Sequence, residues 1–147
     1  MTRYVIVDID GTISKVGDRL KYLQQEKKDW DSFYEHCDED EAYTDIIRLV
    51  EMLSSEYDII FCTGRRESVR DKTLKWLDKH FHLLSEFRLL MRKDNDFRPD
   101  VEIKPQLLQS IGLNPSDVFL ILEDRDKVVD KWRELGYRCL QVSKGDY

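Results

Sequence analysis

The chain reads as an α/β protein, with a doubly wound, mostly parallel sheet and a small flap inserted after the first strand. Three observations predict this. Short apolar runs alternate with segments whose apolar residues recur at helical spacing. Two of the runs, Val5–Val7 and Val118–Leu122, lack polar alternation, as strands covered on both faces do. Gly112 and Gly136 each follow a periodic segment, where a helix stop belongs.

Each element has its own justification. Tyr4–Asp8 is a short apolar run ending in polar residues, a buried strand. Lys15–Ala42 then breaks the alternation. It carries Tyr22, Leu23, Trp30, Phe33 and Tyr34 among many charges, followed by the acidic run Asp38-Glu39-Asp40-Glu41. Residues 15–42 are expected to form a small, partly helical cap or flap on the carboxyl edge of the sheet. The alternative is a structural excursion whose aromatics pack on the core. Ile46, Leu49, Val50 and Leu53 predict a helix over Asp45–Leu53, and Asp58–Thr63 is strand-like up to Gly64. Val69, Thr73, Trp76 and Leu77 mark a helix, Phe87–Met91 a third strand, and Lys104–Ile111 a short helix. Val118–Glu123 is the most apolar strand. Val128, Val129, Trp132 and Leu135 lie on the next helix, and Tyr137–Val142 closes the pattern. All of 1–147 is expected to be one domain.

Composition narrows the function classes. The 147 residues hold 24 Lys+Arg against 30 Asp+Glu, a net charge of −6. A chain of this length buries about 70% of its unfolded surface and needs no disulfide or metal to fold. With 41% hydrophobic and 37% charged residues, neither a disordered nor a membrane chain is expected. The longest purely apolar run, Val118–Leu122, falls far short of the ~20 residues that span a bilayer. The acidic balance opposes tight, nonspecific nucleic-acid binding, but not an enzyme that touches only a strand end. Cys37, Cys62 and Cys139 suggest neither a disulfide framework nor a zinc site. The N-terminus enters its strand with no signal-peptide pattern, so a cytoplasmic protein is expected.

Polar groups sit at the end of several strands. The first strand runs into Asp8-Ile9-Asp10-Gly11-Thr12, the second into Thr63-Gly64-Arg65 and the fourth into Glu123-Asp124-Arg125. Lys104 is expected at the start of the helix before the fourth strand. Ligands of open α/β sheets bind beyond the carboxyl ends of the strands, so these groups should converge. Like charges ~4 Å apart repel by about 4 kcal/mol at an effective dielectric of about 20, so Asp8, Asp10 and Asp124 together need a cation. Carboxylates with no His or Cys nearby suit Mg²⁺, which keeps open positions for phosphate oxygens. Lys104, the Thr63 hydroxyl and backbone N–H groups can hold the rest of a phosphate. An Asp can attack phosphorus, which suits Asp8, and Asp10 can exchange protons with the leaving oxygen and with water. Each group also has a plainer reading. Asp8 and Asp10 can cap turns, Thr63-Gly64 can be a turn, Glu123-Asp124 can favour a helix dipole, and Arg19, Arg92 and Arg98 can be surface charges.

Taken in order, Asp8-Ile9-Asp10-Gly11-Thr12, Thr63-Gly64-Arg65, Lys104 and Glu123-Asp124 resemble the four motifs of the haloacid dehalogenase (HAD) superfamily of phosphatases, over nearly the whole chain. The resemblance implies a HAD-like Rossmannoid fold. It also implies Asp8 as nucleophile, Asp10 as acid/base, and Thr63, Gly64 and Lys104 as phosphate binders. Mg²⁺ would be held by Asp8, Asp10 (through its backbone carbonyl) and Asp124, with Glu123 close behind.

A narrower set of residues adds Arg19, Arg92, Asp96-Phe97-Arg98, Asp126-Lys127-Val128-Val129, Trp132-Arg133 and Gln141–Tyr147. With these the chain is similar to the 3′-phosphatase domain of phage polynucleotide kinase/phosphatase. That likeness implies that Arg19, Arg65, Asp96 and Arg98 help form the substrate site. It implies a substrate that is a 3′-phosphate on a DNA or RNA end, a role in nucleic-acid repair, and host-cell cytoplasm if the chain is phage-encoded. Thr63 stands where that family often has Ser, and Glu123 where it often has Asp. No GxxxxGK[ST] kinase loop is present, so a phosphatase alone is expected. The stretch Trp30-Asp31-x-Phe33-Tyr34 also resembles small phage HAD proteins, which keeps a nucleotide or small-metabolite phosphatase as the alternative. A receiver-like, phosphate-accepting module is the rival from another class. Its acceptor Asp lies near mid-chain and its Lys comes late, an order this chain lacks. No membrane association and no obligate protein partner are inferred.

Overall fold

The computed structural model describes residues 2–84 and 86–147. In chain order the elements are β1 (Tyr4–Val7), β2 (Ser14–Lys15), α1 (Trp30–Glu35), β3 (Glu41–Ala42), α2 (Thr44–Leu53), β4 (Asp58–Arg66), α3 (Arg70–His80), β5 (Phe87–Arg92), α4 (Asp100–Ser110), β6 (Val118–Arg125), α5 (Asp126–Glu134) and β7 (Cys139–Gly145). Five strands form one sheet in the order β5-β4-β1-β6-β7, and every pairing in it is parallel. In the central strand, Val5 lies opposite Ile59 of β4 on one side and Leu120 of β6 on the other. The chain runs outward from β1 to β4 and β5, then returns to build β6 and β7 on the far side. This reversal opens a crevice at the carboxyl end of β1, where such sheets bind ligands.

Successive side chains of a strand point to opposite faces. Val5 and Val7 therefore join a core with Ile47 and Val50 of α2 and Trp76 and Leu77 of α3. Ile6 joins the opposite core with Leu108 of α4 and Val128, Val129 and Trp132 of α5. Both faces are closed, which is why these strands show no polar alternation. Trp76 and Trp132 are almost fully buried, and truncating either to Ala should cost about 3–5 kcal/mol.

Several spans depart from expectation: β4 runs on to Arg66 and β6 to Arg125, past the expected ends at Thr63 and Glu123. β1 stops at Val7, so Asp8 lies just past the strand. α4 starts at Asp100 rather than at Lys104. Pro105 invites the later start because proline favours a first helical turn, but Asp100 and Glu102 supply the acidic first turn. Lys104 is thus inside the helix and buried. The last strand begins at Cys139, opposite Ile121, rather than at Tyr137. The Tyr137 ring instead packs edge-on against Trp132, centroids 5.2 Å apart.

The segment after β1 is short and tied down. It holds 3₁₀ turns at Gly17–Tyr22 and Cys37–Glu39 on either side of α1. The antiparallel pairs Ser14–Ala42 and Lys15–Glu41 close its base. The Asp29 side chain starts α1 by accepting the Ser32 N–H at 3.1 Å. Phe33 and Tyr34 are buried in the core beneath, while Trp30 is half-buried at the cleft. No helix among the described residues is long and apolar enough to cross a membrane.

Candidate active site

Asp8, at the tip of β1, is buried, and both its oxygens are used. One accepts from Lys104 Nζ at 2.7 Å, the other from Thr12 Oγ1 at 2.8 Å. Lys104 Nζ also donates to Glu123 Oε2 at 2.8 Å. Thr12 Oγ1 lies 3.3 Å from Asp124 Oδ1. Asp8, Glu123 and Asp124 each place a carboxylate oxygen within 4.8 Å of the others. The cause is topological, because β1 and β6 are neighbours and both end here. Burial, then the Asp8 charge, pushes the Asp124 carboxyl up to about 7. The same two causes hold Glu123 well above the usual carboxylate range. Burial alone would lower Lys104, but Asp8 and Glu123 outweigh it and hold it well above its ordinary value. Three acids therefore share one ammonium in a dry place.

That surplus fits a hard cation. All three side chains offer oxygen, and the Asp10 backbone carbonyl lies beside them. The Tyr147 hydroxyl is 3.2 Å from Asp10 O and 2.7 Å from Asp124 Oδ2, so both acceptors flank one small group. Gly11 shapes this turn. Its φ is +85°, and a Cβ there would meet Asp124 Oδ2 at 2.1 Å. Glu123 is otherwise engaged, accepting from the Asp124 and Arg125 backbone N–H groups at 3.2 and 3.4 Å.

The Asp10 carboxylate does not join this cluster. It turns toward Arg19 Nη2 at 2.6 Å and Arg65 Nη2 at 2.8 Å. Burial pushes it up, but the two guanidiniums outweigh that and hold it well below the usual carboxylate range. Arg19 is a correction to its reading as a surface charge. It is 4% exposed beneath the inserted segment, where it donates to Phe33 O at 2.8 Å and to both Asp40 oxygens at 2.8 and 2.6 Å. Arg65 is fully buried, with its remaining donor on Thr73 Oγ1 at 3.1 Å. Asp40 also accepts from the Ser14 hydroxyl, and its carbonyl accepts from Trp76 Nε1 at 2.8 Å. Both arginines thus serve Asp10 directly.

Thr63 is buried, and its hydroxyl accepts the Arg65 N–H at 3.1 Å. The Gly64 carbonyl accepts from Tyr34 Oη at 3.0 Å and from Arg92 Nε at 2.9 Å. A Cβ on Gly64 would lie 2.3 Å from Asp100 Oδ1. Asp100 is a residue that sequence reasoning missed. It pairs with Arg92 Nη2 at 2.5 Å and Arg125 Nη1 at 3.0 Å, and its carboxyl is lowered because Lys104, Arg125 and Arg92 outweigh burial. The signal was present, since Asp100 and Lys104 are four apart and share a helix face. Arg92 is likewise buried rather than a surface charge, and it ends β5. The Asp96 and Arg98 backbone carbonyls accept from Arg92 Nη1, and both residues border an adjoining cleft. Arg98 is folded onto Asp96 at 2.7 Å, and that hydrogen bond lowers the Asp96 carboxyl to about 2.

Asp8, Asp10, Thr63, Lys104 and Tyr147 all border one cleft of about 420 Å³, roofed by Trp30, Phe33 and Tyr34. A parallel sheet with this constellation at its carboxyl edge marks a HAD-superfamily phosphatase. The fold recurs in a haloacid dehalogenase-like hydrolase from Streptococcus pneumoniae (TM-score 0.62, 16% identity, 95% of this chain and 84% of that one). It recurs also in a HAD enzyme from Bacteroides thetaiotaomicron solved with magnesium and inorganic phosphate (TM-score 0.57, 15% identity, 100% and 97%). The chain belongs to the family of polynucleotide kinase PNKP phosphatase domains, whose sequence model matches residues 2–147.

At 32% identity it is also similar, over its whole length, to Pnkp1 chains solved in complex with Rnl and Hen1 (TM-scores 0.82 and 0.83). It spans 44% and 48% of those longer chains. Those relatives occur with protein partners, a feature no motif in this sequence signalled.

Proposed function

We propose that this domain is a Mg²⁺-dependent phosphomonoesterase that works through an aspartyl-phosphate on Asp8 and removes 3′-phosphates from DNA or RNA ends. One observation carries the reading. Asp8 lies at the tip of the central strand beside Lys104 and Thr12, facing a cleft that also takes in Asp10 and Thr63.

Asp8 Oδ would attack phosphorus as the bond to the 3′ ester oxygen breaks, and Asp10, ionised at rest between its two guanidiniums, would relay to that oxygen a proton taken up from solvent. Asp10, ionised between Arg19 and Arg65, is then in the form that takes a proton from water. The resulting hydroxide cleaves the aspartyl-phosphate and frees inorganic phosphate. Lys104, Thr63 and the backbone around Gly64 would hold the nonbridging oxygens. Asp8, the Asp10 carbonyl and Asp124 would hold Mg²⁺, which would offset the repulsion between these acids and an anionic substrate. Glu123 keeps Lys104 aimed at Asp8.

The family match over residues 2–147 supports the substrate class, as does the likeness to Pnkp1, whose complex is described as an RNA repair complex. The test compares kcat/KM for 3′-phosphorylated DNA and RNA oligonucleotides with that for free nucleoside monophosphates, in Mg²⁺. The strand ends should be turned over faster. Faster hydrolysis of the free monophosphates would overturn the end-processing reading and favour the nucleotide phosphatase.

A further inference from the structure

A second cleft of about 330 Å³ adjoins the catalytic one and shares Trp30, Tyr34, Asp100 and Arg125 with it. Phe97, Arg66, Asp96 and Arg98 also line it. Phe97 is 79% exposed, the highest value among the large apolar side chains described. With Trp30 and Tyr34 it gives the cleft three aromatic side chains in its lining. The Arg66 guanidinium lies 5.2 Å from the Tyr34 ring centroid and 5.9 Å from that of Phe97. Arg66 is itself only 18% exposed, but its carboxylate partner Asp31 is 88% exposed and holds it by one hydrogen bond, which an incoming anion can replace. The other arginines here are committed. Arg92 serves Gly64, Asp96 and Asp100, Arg125 serves Asp100 and the Tyr147 carbonyl, and Arg98 serves Asp96.

A flat apolar face beside one available guanidinium, next to a phosphate site, matches a nucleotide. Bases stack on aromatic rings whatever their identity, and a guanidinium pairs with phosphodiester oxygens in bidentate fashion. We propose that this cleft is a subsite for the strand upstream of the scissile phosphate, with Phe97 stacking on a base and Arg66 holding the adjoining phosphodiester. The inference rests on the phosphatase reading above. It deepens that reading by requiring a 3′-phosphorylated strand of at least two nucleotides.

The test measures kcat/KM in Mg²⁺ for p-nitrophenyl phosphate, nucleoside 3′-monophosphates, and 3′-phosphorylated di- and trinucleotides in DNA and RNA series. In both series the wild type should gain about tenfold from mono- to dinucleotide, the size of one stacked base. Phe97→Ala should erase most of that gain and Phe97→Tyr should restore it. Arg66→Gln should shrink the gain and weaken its dependence on salt. Equal efficiency on mono- and dinucleotides, or a gain that survives Phe97→Ala, would overturn the subsite while leaving the phosphatase reading intact. If no phosphoester is turned over, the phosphatase reading fails. Anisotropy of a labelled 3′-phosphorylated oligonucleotide then decides the subsite alone. Weaker binding by Phe97→Ala than by wild type supports it, and equal or absent binding rejects it.

Discussion

Two buried ion clusters share the catalytic cleft, and their charge balance differs. On the β1–β6 side, Asp8, Glu123 and Asp124 surround the single ammonium of Lys104. On the side of the inserted segment, Asp10 and Asp40 meet Arg19 and Arg65, two charges of each sign. The second set is self-sufficient, with every guanidinium nitrogen of Arg19 and Arg65 bonded to an oxygen. The first is short of positive charge, and burial makes that shortage costly. The balanced set can hold a side chain in place, whereas the unbalanced set can recruit a cation and an electrophile.

The comparison breaks most sharply at Asp8. Asp8→Asn should lower the steady-state rate of phosphate release by at least about a thousandfold, because no other carboxylate takes its place. Near-normal rates would end the covalent route.

Arg65→Ala attacks the balanced set. Leaving Asp10 and Asp40 with the single guanidinium of Arg19 should cost about 3–5 kcal/mol, seen in denaturant melts as an earlier midpoint. Any stabilisation by Mg²⁺ should survive that change, since the proposed metal ligands lie elsewhere.

That stabilisation sharpens the contrast. Mg²⁺ at a hundred times its dissociation constant should add about 2.7 kcal/mol, or roughly 8 °C in Tm, and EDTA should remove it. Asp124→Asn should abolish most of the shift. Asp10→Asn should keep it, because Asp10 would contribute only its carbonyl. Loss of the shift in Asp10→Asn would instead place that side chain on the metal.

The smallest effect concerns Asp100, which braces both sides through Arg92 and Arg125. Its carboxyl is lower folded than free, so its pairing stabilises above the unfolded value of about 4 and is lost as pH falls through the folded value. Asp100→Asn should cost about 2 kcal/mol at pH 7, and the gap in Tm should start to narrow once pH falls below about 4. A gap that stays constant as pH falls from 7 into the acid range would assign the loss to packing.

Much of this site was legible because strand tips carry the chemistry. Asp8, Thr63 and Asp124 follow apolar runs whose pairing in one sheet is forced by their composition. The balanced cluster was not legible. Asp40 sits in an acidic run that reads as a solvated surface, and nothing local says that one of its four acids turns inward. Arg19 and Arg92 look like ordinary surface charges, since their partners lie in other elements. Asp100 was hidden behind Pro99 and the expected helix start at Lys104, though its spacing from Lys104 pointed to it.

The placement of β1 also bears on how the protein is made. It is the first strand of the sheet in chain order, yet it occupies the middle, with β4 and β6 on its two edges. On a ribosome, β1 must wait from residue 7 until residue 118 for its second partner. At about 5–20 residues per second that is roughly ten seconds with an apolar edge bare. A nascent chain stalled before Val118 would hold Asp8 and Lys104 but neither Glu123 nor Asp124. On the proposed mechanism such a fragment would be catalytically inert and would offer an open strand to chaperones and proteases, so catalytic competence would arrive abruptly with β6.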